Sequence, residues 1–190
     1  METVCVTDLA PLTALGADTA RSARFGALTL AETPDMALAS LAQRRDGDQP
    51  LPMGLRLPGP GGWVSGNGLA AFWTGPHQWM IEAEGRAEQD FARDLALAAP
   101  GCSVTEQTDG WVCFELTSDA GAAPIRQIMA KLVNIDVDDF GPGRATRTGL
   151  EHQGVFLIRR ADNRLAIWGM RSSAESLWHA LATAARRLEG

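Results

Sequence analysis

The sequence predicts an α+β fold, with mainly antiparallel sheets and packed helices. Three observations predict it. Short apolar runs come in pairs joined by turn residues, as at 69–73 and 79–82 around Thr74-Gly-Pro-His-Gln78. Amphipathic helical stripes follow these pairs without the regular strand–helix–strand alternation of a parallel sheet. The chain has 190 residues, 45% hydrophobic and 21% charged, enough for one well-buried core or two small intimate halves.

Residues 1–24 are polar and Ala-rich with a break at Pro11, and read as an N-terminal arm. Residues 25–190 read as one compact domain. Within it, 25–31 can form a strand. Pro34-Asp35 then opens a predicted helix at 36–42, with Met36, Leu38 and Leu41 as its apolar residues. Residues 43–67 are dense in Gly and Pro and predict a long surface connection, a length that points to function or a partner. Trp63 lies inside it, either folded back onto the core or held out as an anchor. The hairpin at 69–82 follows, then a helix at 87–99 with Phe91, Leu95 and Ala98 inward, ended by Pro100-Gly101.

Strands at 102–107 and 111–116 predict a second hairpin around Asp109-Gly110. In the latter strand Val112, Phe114 and Leu116 alternate with Trp111, Cys113 and Glu115, so one face is core and the other mixed. At 124–133, Ile125, Ile128, Met129, Leu132 and Val133 form one helical stripe, with Pro124 suited to the first turn. An acidic loop stopped by Gly141-Pro-Gly143 leads to three strands: one from Arg144 onward, then 154–159 and 164–168, joined at Asp162-Asn163. Ser172 and Glu175 fit a capping box for a closing helix. Its stripe is Ala174, Leu177, Trp178, Leu181, Ala185 and Leu188.

The net charge of −6 argues against nucleic acid or an anionic membrane as partner. No apolar run is long enough to cross a bilayer, and no signal peptide is expected after Met1. Cys5, Cys102 and Cys113 are an odd, unclustered set, which predicts free thiols in a reducing cytoplasm. The six Trp and absent Tyr favour a surface that a protein partner recognises.

No catalytic, cofactor-binding or metal-ligating residue is expected. No glycine motif opens a helix after a strand, and Gly59-Pro-Gly-Gly62 has no helix behind it. His77, His152 and His179 are scattered. Asp136, Asp138 and Asp139 lack the central Gly and terminal Glu of a calcium loop and read as a solvated acidic loop. Cys113 reads as a buried inert thiol. The candidate partner-contact residues are Trp63, Trp73, Arg147 and Arg171. Each Arg either pairs internally, for instance with Glu151 or Asp136, or offers a bidentate fork to a partner.

Several of these residues carry a family resemblance. Phe72-Trp-Thr-Gly-Pro-His-Gln-Trp-Met-Ile81, the helix and acidic loop of 128–140, Arg147-Thr148, Glu151-His152, Arg171-Ser172 and Ser176-Leu-Trp178 follow in order. Together they resemble the gamma subunit of heterotetrameric sarcosine oxidase, itself related to the folate-binding aminomethyltransferase domain of the glycine-cleavage T-protein. The resemblance covers roughly residues 25–188. It departs at His77, where the family more often has Asp, and near Thr108, where a Ser is expected.

The resemblance implies a structural subunit assembled with alpha, beta and delta chains. The complex oxidises sarcosine to glycine, giving hydrogen peroxide and methylenetetrahydrofolate or formaldehyde. FAD, FMN, NAD, zinc and tetrahydrofolate belong, by the same implication, to the partner chains. A rival of another class is a free-standing folate-binding protein or aminomethyltransferase-like one-carbon carrier, although the T-protein is about twice this length.

Overall fold

The computed structural model describes residues 12–44 and 49–189. Residues 1–11 of the expected arm, and 45–48 of the Gly/Pro connection, lie outside the described residues. Strands β1 (Ser22–Phe25) and β2 (Leu28–Glu32) pair antiparallel. The expected single strand is therefore a hairpin, turned at Gly26 with φ 55°. It begins inside the stretch read as an arm. The buried Glu32 carboxylate ties that stretch down by accepting from the backbone N–H of Leu15 and Arg21.

The helix expected at 36–42 is instead strand β3 (Ala37–Gln43). Its register explains the error. Ala37, Ala39 and Leu41 enter one core while Leu38 enters another, and all four are buried. A strand covered on both faces loses the period-2 signal, and its Ala content then mimics a helix. Next come β4 (Trp63–Gly66), β5 (Leu69–Gly75) and β6 (Gln78–Ala83). Helix α1 (Phe91–Ala98) starts later than expected because Asp90 caps it, accepting from Arg93 N–H at 3.3 Å.

Strands β7 (Cys102–Glu106) and β8 (Trp111–Ser118) do not form the expected hairpin. β7 pairs with β3, while β8 lies between β2 and β11 (Arg164–Met170) in a different sheet. The chain changes sheets at Thr108–Gly110. There the Glu106 carboxylate accepts from Gln107 N–H at 3.0 Å and Thr108 N–H at 2.9 Å, and the Thr108 hydroxyl accepts from Leu38 N–H at 3.0 Å. Helix α2 (Ala122–Leu132) keeps Pro124 in its first turn. β9 (Arg144–Leu150), β10 (Gln153–Ala161) and β11 follow as a meander.

Before α3 (Ala174–Arg186) the expected capping box is absent. A 3₁₀ turn, Arg171–Ser173, leads straight into the helix, and Ser173 at its N-cap makes no side-chain bond. Glu175 faces Arg21 instead, at 3.1 Å.

The sheets are β1-β2-β8-β11-β10-β9 and β4-β5-β6-β3-β7. Helices α2 and α3 bury Ile125, Ile128, Leu177 and Leu181 against Phe114, Leu157 and Ile167 of the six-stranded sheet. Helix α1 buries Phe91 and Leu95 against Leu41 and Ile81 of the five-stranded sheet. Each such side chain contributes roughly 2 kcal/mol on removal from water. The Gly/Pro connection joins this second core through Leu55 and Leu57, and Trp79 Nε1 donates to Pro58 carbonyl at 2.8 Å. It is a packed strap rather than a free surface loop. A third core, with no helix in it, lies between the facing sheets.

Candidate functional site

The layer between the sheets holds the chain's most unusual chemistry. On β6, Trp79 and Ile81 point to the α1 side, so Met80 and Glu82 point into this layer. Glu82 is 1% exposed. Its carboxylate accepts from Trp168 Nε1 at 2.6 Å, Arg160 Nη2 at 2.7 Å and Trp63 Nε1 at 3.1 Å. Arg160 also lies over the Trp63 ring, 5.7 Å from its centroid. Burial is the largest single influence and opposes the Arg160 charge, but Glu82, Cys113 and Glu115 together outweigh it and hold the guanidinium above its ordinary pKa. This cluster fastens β6 and β4 of one sheet to β10 and β11 of the other. Sequence reasoning missed it. The signal was a carboxylate closing the apolar run Trp79-Met-Ile-Glu82, and paired Arg closing the apolar run of β10.

Cys113 lies in the same layer, where burial pushes its thiol up to about 12. Such a thiol carries negligible thiolate near neutrality and is a poor nucleophile.

At one end the layer opens into a cleft of about 380 Å³. Alternation places Ser40, Thr74, Gln78 and Met80 on the wall from the five-stranded sheet. The six-stranded sheet contributes Trp111, Phe156 and Arg147. The rings of Trp111 and Phe156 lie 5.6 Å apart, and the Arg147 guanidinium sits 5.8 Å from the Phe156 centroid. A separate opening of about 530 Å³ also touches Trp111 and is lined by Asp35, Glu88, Asp109 and Arg171. A third groove, about 820 Å³, runs beside α3 with Lys131, His179 and Arg187 opposed by Glu151 and Glu175.

The four candidate contact residues do not form one patch. Trp63 is half-buried and its indole N–H is taken by Glu82. Trp73 packs on the opposite face of its sheet, against the α1 core. Arg171 donates to the Leu12 carbonyl at 2.8 Å. Arg147 alone reaches the 380 Å³ cleft, exposed and, among the described residues, without a carboxylate partner. Neither Arg takes up the expected internal pairing with Glu151 or Asp136.

The acidic loop is tied internally. Asp136 Oδ1 accepts from Asp138 N–H at 3.0 Å, and Asp138 pairs with Arg126. Among the described residues no three His, Cys, Asp or Glu side chains converge as a metal set. The Gly-rich run is committed to joining the sheets: Gly62 bridges to Arg144, and the Gly61 carbonyl accepts from Ala145 N–H at 2.9 Å.

No family model matches the chain, and no curated protein matches it in sequence. Solved structures share its fold. A chain of heterotetrameric sarcosine oxidase from Corynebacterium sp. U-96, solved in complex with pyrrole 2-carboxylate, is 24% identical. It aligns over 88% of each chain with a TM-score of 0.73. Aminomethyltransferase T of the glycine cleavage system from Bartonella henselae is 15% identical, over 82% of this chain and 48% of that one, with a TM-score of 0.58. This chain therefore spans about half the length of the aminomethyltransferase. The molecule is an α+β protein of the aminomethyltransferase T fold. Within that fold it is similar, over nearly its whole length, to a sarcosine oxidase chain, so the resemblance drawn from its motifs holds at the level of fold.

Proposed function

We propose that this chain is the gamma-type subunit of a heterotetrameric sarcosine oxidase complex, with an assembly role and no active site of its own. The observation that carries the reading is the fold likeness over 88% of both chains, a correspondence of whole subunits rather than of a shared motif. On this reading the partners are alpha, beta and delta chains. The assembly demethylates sarcosine oxidatively to glycine, with hydrogen peroxide and methylenetetrahydrofolate or formaldehyde. FAD, FMN, NAD, zinc and tetrahydrofolate reside in the partners, and the complex works in the cytoplasm. No helix of the described residues is long and apolar enough to cross a membrane, which is compatible with this setting.

The partner contacts we assign lie on separate faces: Arg171, the outer edges of Trp63 and Trp73, and the exposed apolar Leu97 and Met170. The test is capture of the tagged full-length chain from its native cells. Three companion chains and a flavin absorption spectrum are expected. A lone, colourless 20.3 kDa chain would overturn the subunit reading.

The second reading, a free-standing folate-binding protein or aminomethyltransferase-like one-carbon carrier, draws on the aminomethyltransferase T likeness. It predicts micromolar binding of folinic acid by the lone chain in calorimetry. The subunit reading predicts none.

A further inference from the structure

We propose that the open end of the inter-sheet layer binds a small monocarboxylate with an apolar, preferably aromatic, body. Among the described residues lining the 380 Å³ cleft, Arg147 is the only one that carries a formal charge. On the same sheet, Arg160 pairs with Glu82 and Arg164 with Glu115 at 2.8 Å, but no described carboxylate reaches Arg147. A lone guanidinium in a chain of net charge −6 is a local positive site on an acidic molecule. Its planar fork suits a carboxylate, which can accept two parallel N–H bonds. One cation matches one carboxylate, so a dicarboxylate would leave an anion without a partner against apolar walls.

The walls define the rest of the ligand. The tilted Phe156 and Trp111 rings and the Met80 thioether offer contacts to a flat apolar group. The side chains of Ser40, Thr74 and Gln78, from the opposing sheet, can orient a polar substituent. The guanidinium lies within ordinary contact distance of the Gly154 position on the cleft side of the sheet. Gly154 faces the same side as Phe156, and a Cβ built there would meet Arg147 Nη2 at 3.7 Å. Gly149, two residues beyond Arg147 on the same face, has open space where its Cβ would be. The volume lies at the lower end of the range for small-molecule sites and suits one ring rather than a dinucleotide. This site does not depend on the oxidase assembly, and it takes a different ligand from the folate of the second reading.

The experiment is ligand-observed NMR with the full-length chain, using benzoate as probe and benzamide as its uncharged shape-mate. Benzoate is expected to bind with a Kd on the order of 0.1–1 mM, as befits one charge contact and one ring. Benzamide should bind at least tenfold more weakly. Arg147→Met should weaken benzoate at least tenfold. Arg147→Lys, which keeps the charge without the fork, should fall between the two, and Arg93→Met on α1 should match wild type. Equal binding of benzoate by wild type and Arg147→Met would overturn the site. So would benzamide binding as tightly as benzoate, or no benzoate binding by a wild-type chain with a native circular dichroism melt.

Discussion

The two ends of the layer between the sheets use the same residue types to opposite effect. At the closed end an Arg and two Trp converge on Glu82, which is 1% exposed and accepts from all three. At the open end an Arg, a Trp and a Phe converge with no carboxylate among the described residues. A buried charge whose partners are already in the fold is a fastening. A cation held against aromatic rings without its counter-charge keeps its hydrogen-bonding capacity for something else. The difference is one of satisfaction, not composition, and it separates the part of the layer that holds the molecule together from the part free to bind.

The strongest way to break this contrast is Glu82→Ala. It leaves Arg160 buried without its counter-charge and two indole N–H groups without an acceptor. Removing one partner of a buried ion pair costs about 3–5 kcal/mol. The free energy of unfolding in urea should fall by that amount, read as a lower midpoint with little change in slope. Glu82→Gln keeps an acceptor for an indole and should cost about 1–3 kcal/mol. Glu82→Met combined with Arg160→Met should recover part of the loss, because apolar replacement of both partners removes the stranded charge. A Glu82→Ala variant within 1 kcal/mol of wild type would mean that the cluster fastens nothing.

Cys113 and Trp168 border the 530 Å³ opening, so Cys113 probes how far water enters the layer from that side. Its thiol ionises near the ordinary 9.0 when unfolded and at about 12 when buried, so the native state holds the proton more tightly. That contribution is fully present below pH 9 and is lost as pH rises toward 12. Three pH units correspond to about 4 kcal/mol at the top of the window. The chain has no Tyr, and Lys131 is its single lysine, so few other groups titrate there. Urea midpoints taken between pH 8.5 and 11 should therefore fall more steeply for wild type than for Cys113→Ala. Parallel curves would show that water reaches the layer.

Elements decided by local signals were legible in the sequence. The stripe of α2, the turn at Asp162-Asn163 between β10 and β11 and the two unlike faces of β8 appear as read. Elements decided by distant partners were not. β3 is a strand because β6 and β7 flank it, against its own Ala-rich preference. Asp109-Gly110 has hairpin chemistry, but β7 and β8 find different sheets. The same limit applies to the site. Arg147 stood out as a cation on a strand; Phe156 is its cross-strand partner on the next strand, whereas Trp111 reaches it only through the order of β8, β11, β10 and β9. Glu82 sits 78 residues from Arg160 and 86 from Trp168, beyond the reach of any motif.

Arg147→Met removes an exposed guanidinium whose one described side-chain contact is the Phe156 ring. An exposed cation–π contact contributes about 0.5–1 kcal/mol, and the Met side chain restores part of the apolar contact. The unfolding free energy of Arg147→Met in urea should therefore stay within about 1 kcal/mol of wild type, while benzoate binding is lost. A loss above about 2 kcal/mol would place Arg147 with Glu82 as part of the fastening, because a group left free for a ligand contributes little to the fold that presents it.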